Sequence, residues 1–568
     1  MLGLKSFRST VLAGTALLCT VAFFFVLFTT SPLAQLRNAV GKPIPADAAP
    51  LTQQVLRQVL AEPSTLDVGI ALFDAQFIAF LFEQLCVFDE NLELKPGAAQ
   101  SWSHSPDGKT WTFTMRPGGK WSDGRPVTAY DFEWSFRRLI APESGNVFAY
   151  FYYPIKGAKA FNTGKTKDMK TVGVKALDEM TLVIETEEPC AFFPMICAFF
   201  TSVPAPRWQV EKYGRRWTNQ GNCVSNSSWV LDTWQPGRGM TFKLNKLYNG
   251  PFKGYLEKLE FKFAPPGWEG AVLAYENNEI DRASVVGADF KRVKDDPKLS
   301  KELTTFPNFG TYYTIFQTTK PPFNNMKLRQ AIAHVIDRDA ICNTVLGGVA
   351  TPAYGMLPAG FPGYMVADLK PYQQFNPTLA KKLLAEAGYP GGRGLPKLEL
   401  LVRAPSPAEQ NVVVAIQQML KEHLNMTVTL NKQTMQVFND RMVKHEVPWG
   451  FLWFNTDYPD PSDMIAVPWR SQPVGSGRQD WKNEEFDRLV DAAAGEFNER
   501  KRLAMYHEAE KILARDAAGV FLYNLINATL NKPWVKGVLV NKYGHRRWSG
   551  LTPSYAMLYI GKHKSGGQ

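Results

Sequence analysis

Cysteine and histidine are both scarce in this chain. Its 568 residues include 6 cysteines and 7 histidines, with no CxxC pair and no HExxH or HxH spacing. No zinc site is therefore written locally, and a metal centre would have to be assembled wholly by the fold. Runs of one charge sign are missing too. The net charge is +11, but lysine and arginine are dispersed and never form the basic runs of about five to eight residues that mark a polyanion patch. This distribution describes a solvated, mildly basic surface and gives no reason to expect a nucleic acid partner. Beyond the N-terminal segment there is no internal repeat and no low-complexity linker, which argues against a solenoid or domains strung on flexible tethers.

Signatures of catalysis are equally thin. GAKAFNTGKT ends like a phosphate-binding loop at Gly164-Lys165-Thr166, but Lys159 stands where such a loop needs its first glycine. Gly475 to Gly477, GSG, lacks the spacing of a nucleophile elbow. No pattern pairs two carboxylates for acid and base work, and each histidine reads as an ordinary core or surface residue. The expectation is a chain that is not an enzyme, with no catalytic residue, no metal and no cofactor.

What is present begins with length. A single hydrophobic core stops growing at roughly 250–300 residues, so at least two lobes are expected. Hydrophobic residues at 45% and charged residues at 21% fit a globular body, and 15 Trp with 20 Tyr offer the large, polar-tipped contact area that binding proteins use. At the N-terminus, Lys5 and Arg8 precede an uncharged apolar run from Val11 to Thr29, about the length that spans a bilayer. Flanking positives keep the chain start cytoplasmic and export the rest. The run exceeds the roughly 7–15 apolar residues of a cleaved signal. Ala34 after Pro32 makes a poor cleavage site, and Leu18 precedes Cys19 where a lipoprotein signal wants a small residue. An uncleaved anchor is favoured over a cleaved signal, and both place the body outside the cytoplasm. Five cysteines follow: Cys86, Cys190, Cys197, Cys223 and Cys342. The odd number leaves at least one unpaired, and oxidised pairing such as Cys190 with Cys197 stays open.

Along the body, LTQQVLRQVL places Leu51, Val55, Leu56, Val59 and Leu60 at helical spacing, although its β-branched content suits a strand equally. FIAFLFEQLCVF, Phe77 to Phe88, reads as a buried helix. In KTWTFTMRP the alternation of Trp111, Phe113 and Met115 with polar residues predicts a hairpin strand. TFKLNKLYNG and LEKLEFKF predict further strands. Then FNPTLAKKLLAEAGYPGG spells a helix: Asn376 caps, Pro377 takes the first position, and Gly388 ends it. A second helix, AEQNVVVAIQQMLKEHLN, is flanked by LELLV and MTVTL as strands, the alternation of an α/β lobe with parallel pairing.

One stretch, WFNTDYPDPSDM from Trp453 to Met464, surrounds Asp457, Asp460 and Asp463 with aromatics and prolines. Asp-Pro and Pro-Asp pairs make turns, because proline fixes φ and aspartate bonds its own backbone. The alternative is a carboxylate held at a pocket wall for a cationic ligand. Residue chemistry by itself leaves both open.

Several segments together carry a resemblance. Leu94 to Leu139, LKPGAAQSWSHSPDGKTWTFTMRPGGKWSDGRPVTAYDFEWSFRRL, PPFNNMKLRQAIAHVIDRDAI with Arg329, Ala331, Asp337 and Arg338, NPTLAKKLLAEAGYPGG and the DYPDP core are the four strongest. With GVKALDEMTLVIETEEP and KPWVKG, they resemble the periplasmic oligopeptide-binding proteins of ABC importers, in the peptide/nickel/opine class of extracellular solute-binding proteins, from about residue 51 to 560. That class also holds binders of nickel, haem, opines, glycans and antibiotics, so the fold does not fix the solute.

The resemblance implies an α/β, two-lobed periplasmic-binding-protein fold, type II-like, with an inserted α+β domain and the ligand in the interlobe cleft. Residues 1–46 would be signal or anchor and linker, 51–74 with 206–309 and 529–560 lobe I, 75–205 the inserted domain, and 310–528 lobe II. Asp457 would receive a peptide α-ammonium, with Tyr458, Trp453, Phe454 and Asn455 around it. Asn226, Ser227, Ser228 and Trp229 would contribute a loop, and Tyr312 and Tyr313 a hinge strand beside Thr311. Asp460 and Asp463 would be turn and helix-start residues. The chain departs from the pattern of this class at Ser227, where glycine is usual, at Gly310 and Asn455, where some members place a disulfide, and at Phe451, where some members have an arginine that helps receive a ligand carboxylate. Implied partners are a peptide, the permease of an ABC transporter with a separate ATPase, and the membrane through the N-terminal segment, with the protein itself a monomer. The rival readings are the same fold around a nickel chelate, an opine or an oligosaccharide, and an anchored peptide sensor or chaperone.

Overall fold

The structure, a computed structural model, describes residues 36–70, 77–89, 91–264, 270–287, 289–472, 479–538 and 551–563. The apolar run Val11 to Thr29 with Cys19, the GSG at 475–477 and His545 lie outside the described residues. Among the described residues no helix is long and apolar enough to cross a membrane.

One strand, Gly519–Asn531, organises the body. Its first half pairs antiparallel with Gly310–Phe316, matching Ile315 to Gly519 and Tyr312 to Tyr523. Its second half pairs with Leu303–Pro307 and Arg282–Ser284. A 13-residue strand that serves two half-sheets ties them together without a flexible linker.

Beyond Arg282–Ser284 the first half-sheet continues through Val55–Leu60, Lys258–Phe263, Gly239–Leu244 and Trp229–Gln235. Val55–Leu60 runs parallel to Lys258–Phe263 in register from Val55 opposite Lys258 to Leu60 opposite Phe263. The helix-or-strand ambiguity of this segment is thus decided by its neighbour. Leu56, Gln58 and Leu60 turn inward on alternate positions, as a strand's period of 2 requires.

A separate antiparallel sheet of Ala99–His104, Thr110–Met115, Thr181–Glu185 and Val174–Ala176 forms the inserted layer. Trp111, Phe113 and Met115 line its buried face. The helix Ala129–Leu139 covers it, started by a capping box between Thr128 and Asp131. The expected helix at Phe77 to Phe88 is a single turn, Ile78–Leu81, after which Phe82 is extended and Cys86–Phe88 forms a hairpin strand with Leu94–Pro96. A run buried on every side has no period, so sequence could not separate helix from strand there. One hydrophobic core runs from Phe113 and Leu182 of the inserted sheet to Phe242 and Phe261 of the first half-sheet.

The second half-sheet orders Val428–Gln433, Leu398–Arg403, Trp449–Asn455 and Gly310–Phe316. Leu398–Arg403 is parallel to Val428–Gln433, connected by the helix Pro407–Leu424. This is the predicted strand–helix–strand unit. Pro377–Glu386 is capped as expected, with Asn376 accepting from the Leu379 amide and Gly388 at φ +94°. Met326–Val335, Pro377–Glu386 and Pro407–Leu424 bury residues in the core on one face of this sheet, and Glu484–Ala494 and Glu499–Arg515 do so on the other. The architecture is α/β.

All five described cysteines are free thiols, so the Cys190–Cys197 pairing is not formed. Among the described residues no three metal-ligating side chains converge.

Candidate functional site

Leu398–Arg403 and Trp449–Asn455 run parallel, pairing Leu401 with Gly450 and Val402 with Phe451, and then diverge. Where parallel strands of an open sheet end, their carboxyl ends and the following helix start leave a crevice, the usual ligand position in such folds. Here that crevice is a cavity of about 350 Å³ lined by Gly310, Tyr312, Ser406, Glu409, Trp453 and Asn455 among others. Ser406 and Glu409 form the capping box of Pro407–Leu424, the Ser406 amide donating to Glu409 Oε2 at 2.7 Å. A carboxylate in the first turn also suits the positive end of the helix dipole.

Pairing in register sets the cavity wall. Trp453 lies opposite Tyr312 and Asn455 opposite Gly310, so period-2 geometry brings their side chains to one face. Tyr312 stacks on Tyr523 with ring centroids 4.4 Å apart and planes 11° from parallel. Burial, reinforced by the Glu409 charge, pushes its phenol well above the ordinary tyrosine range, so it stays protonated. Arg403 lies over the Trp453 ring at 4.6 Å and donates to its carbonyl. A methyl group at Gly310 would collide with Asn455 Oδ1. The glycine therefore gives the space that the Asn455 amide fills, in place of a disulfide.

The loop after this strand is held by its own acids. Asp463 is fully buried. Its Oδ2 accepts from the Asp457 amide at 2.6 Å and lies 2.8 Å from the Thr456 hydroxyl, which is also 2.8 Å from the Tyr458 carbonyl. Asp460 Oδ1 accepts from the Ser462 amide at 2.9 Å, and its other oxygen pairs with Arg502 inside the protein. Burial works against the Arg502 charge, but Asp460 more than offsets it and raises the guanidinium pKa. Asp463 and Asp460 thus fix the backbone, while Asp457 remains half-buried.

Tyr458 turns the other way. Its ring is 2% exposed and belongs to the core that joins the inserted sheet to the first half-sheet. It stacks on Phe192 at 5.9 Å and meets Phe151 edge-on at 6.1 Å. Burial pushes its phenol well up, and the Ser462 hydroxyl donates to it at 3.2 Å. The loop that carries Asp457 therefore lies on the seam between the two halves.

The remaining expected residues lie elsewhere. Tyr313 and Phe454 face the core opposite the cavity. Asn226, Ser227, Ser228 and Trp229 are all buried in the first half. There Asn226 Oδ1 accepts from the Glu83 amide at 3.0 Å, Ser228 Oγ donates to the Phe252 carbonyl at 2.5 Å, and Trp229 meets Phe80 edge-on at 5.9 Å. Ser227 does not adopt positive φ, so this loop forms here without the usual glycine. Sequence reasoning missed Ser406, Glu409, Arg403 and Phe192. The S-x-x-E signature at Ser406 announced the helix start, but only the sheet order brings that start beside Trp453.

The family model described as bacterial extracellular solute-binding proteins, family 5 Middle, matches residues 93–476. The periplasmic oligopeptide-binding protein OppA of Escherichia coli is 31% identical over 465 residues, covering 80% of this chain and 84% of its own. The periplasmic murein peptide-binding protein MppA of Escherichia coli is 32% identical over 501 residues, covering 86% and 91%. The solved structure of the Escherichia coli murein tripeptide binding protein MppA superposes with a TM-score of 0.73 at 32% identity, covering 90% of this chain and 99% of that one.

Proposed function

The chain belongs to family 5 of the bacterial extracellular solute-binding proteins, and we propose that it captures peptides between its halves and delivers them to the permease of an ABC transporter. Its family is one of solute binders, not of enzymes. The segments 51–74, 206–309 and 529–560 act as lobe I, 75–205 as an inserted domain moving with lobe I, and 310–528 as lobe II. Closure is a hinge motion absorbed where Leu303–Phe316 and Gly519–Asn531 pass between the lobes. The protein works outside the cytoplasm as a monomer, tethered through residues 1–46, and the energy for transport comes from a separate ATPase.

The observation that carries this reading is the position of Asp457. It follows a strand end that borders a cavity and precedes a tyrosine buried against the opposite lobe, so a ligand lying along 453–457 meets its carboxylate at the seam. A peptide α-ammonium that loses water there needs a fixed counter-charge. Asp463 supports the role by holding the Asp457 amide. Tyr312, Trp453 and Asn455 offer an amphipathic wall for the first side chains, and extended backbone can add beside the divergent strand ends. Asn226 to Trp229 shape the first lobe from within.

The test is calorimetric titration of ligand-stripped protein with tri- to pentapeptide pools bearing free or acetylated N-termini. Binding of the free pool only is expected. Equal binding of both pools removes Asp457 from its role. Binding of a nickel chelate, opine or oligosaccharide in place of either pool moves the chain to a non-peptide branch of its family.

A further inference from the structure

The lobes of this protein touch at a place remote from the cavity. Phe497, in the turn between Glu484–Ala494 and Glu499–Arg515, lies stacked on His104 with centroids 4.2 Å apart and planes 24° from parallel. It also lies 6.1 Å from Trp111, which is itself 5.1 Å from His104. His104 and Trp111 end the hairpin of the inserted sheet. At the tip of that hairpin a methyl group on Gly108 would come within 2.6 Å of the Phe497 ring. Beside it the Ala191 amide donates to the Ala494 carbonyl at 2.8 Å, and a methyl group on Gly495 would stand 3.4 Å from Pro189. The inserted sheet shares its core with the first half-sheet, so it groups with lobe I, and each of these contacts crosses from that lobe to the other.

The patch has the properties of a latch. Phe497 is 41% exposed, so it contributes little to the folding of lobe II. The glycine opposite it and the main-chain hydrogen bond beside it let two backbones approach closely. None of these residues lines the cavity. Whatever they contribute is therefore present with or without ligand, and it adds to the arrangement of the lobes in which these contacts are made.

We infer that the Phe497–His104–Trp111 stack, with the Ala191–Ala494 hydrogen bond, is a latch that sets how much of the ligand-free protein is closed. The inference rests on the reading of this chain as a protein that closes about its hinge strands. A ligand's apparent affinity scales with the population of the competent state, so the latch sets affinity from a distance without touching the ligand. An aromatic pair of this kind changes such an equilibrium by roughly three- to tenfold.

The experiment places nitroxide labels at Lys175→Cys on the inserted sheet and Arg488→Cys on lobe II, both exposed, with Cys223→Ser removing the half-buried thiol. Electron–electron distances are then measured without ligand. In the otherwise wild-type protein a short-distance, closed component is expected. Phe497→Ala and His104→Ala should each reduce its ratio to the open component by roughly three- to tenfold, and the double variant should fall short of the two effects combined, since both remove the contact between these two rings. Identical distributions in all four proteins, or no closed component in the first, overturn the latch. Adding the free peptide pool to the protein with an intact latch tests the other reading separately. If the pool neither binds nor shifts the distances, peptide capture fails, while the effect of Phe497→Ala on the ligand-free distribution still decides the latch.

Discussion

Tyr458 and Phe192 lie face to face, 5.9 Å apart and 8° from parallel, one from the loop that carries Asp457 and the other from the inserted domain. The neighbour of the proposed ligand anchor is thereby fixed to the opposite lobe. On the proposed reading, ligand contact at Asp457 and lobe closure are coupled through one peptide bond, between residues 457 and 458.

Replacing Asp457 tests the anchor. Removing one partner of a desolvated ion pair costs about 3–5 kcal/mol, or roughly two to three and a half decades in affinity. Asp457→Ala should weaken binding of free-amine peptides by that amount in calorimetry while leaving the melting temperature near wild type. A normal affinity would detach the ammonium from this residue.

Asp463→Ala should behave differently. Its fully buried carboxylate accepts from the Asp457 amide and lies within hydrogen-bond distance of the Thr456 hydroxyl. Each buried donor left without a partner costs about 1–3 kcal/mol. Both the melting temperature and peptide affinity should fall. A loss of affinity at unchanged stability would contradict the structural role given to Asp463.

Glu510 predicts a pH dependence of stability. It is fully buried, its Oε1 accepts from the Leu357 amide at 2.9 Å, and burial pushes its pKa up to about 7. The folded state therefore holds a proton that the unfolded chain releases near its ordinary value of 4.5. The contribution is fully present below that value and is lost as pH rises towards 7, with a magnitude on the order of 3 kcal/mol. Glu510→Gln should flatten this fall in denaturant titrations performed between those limits. An unchanged slope would remove Glu510 as its source.

Gly310 and Asn455 form a testable pair. Gly310→Ala should destabilise, because its methyl group would collide with Asn455 Oδ1. Asn455→Ala, at an exposed position, should cost little, and the double variant should recover most of the loss from the first. Thermal melts of all four proteins give the coupling directly. Additive losses would show that the crowding lies elsewhere.

Much of lobe II was legible in the sequence, because its signals are local. Asn376, Pro377 and Gly388 mark the ends of one helix. Each acts through a cap or a φ angle within a few residues. The segment Phe77 to Phe88 was misread because it is buried throughout, Glu83 and Gln84 included, and so carries no period. Val55 to Leu60 could not be decided until a parallel partner, Lys258–Phe263, gave it one buried face.

The site divides along the same line. Asp457 and its prolines stand out in the chain as a turn built around carboxylates, but the assignment of tasks among those carboxylates does not. Asp463 and Asp460 turn inward to bind backbone and Arg502, Asp457 stays at the surface of the seam, and Tyr458 belongs to the other lobe's core.

The sequence by itself determined the strand–helix–strand alternation of the second half, both ends of the helix Pro377–Glu386 and the family, since propensity, capping and motif spacing act over short stretches. Only the tertiary structure decided that Ser406 and Glu409 border Trp453, that Gly310 leaves room for Asn455, and that Phe497 lies on His104. Those contacts join residues far apart in the chain, and they follow from strand order and core packing, which no local pattern encodes.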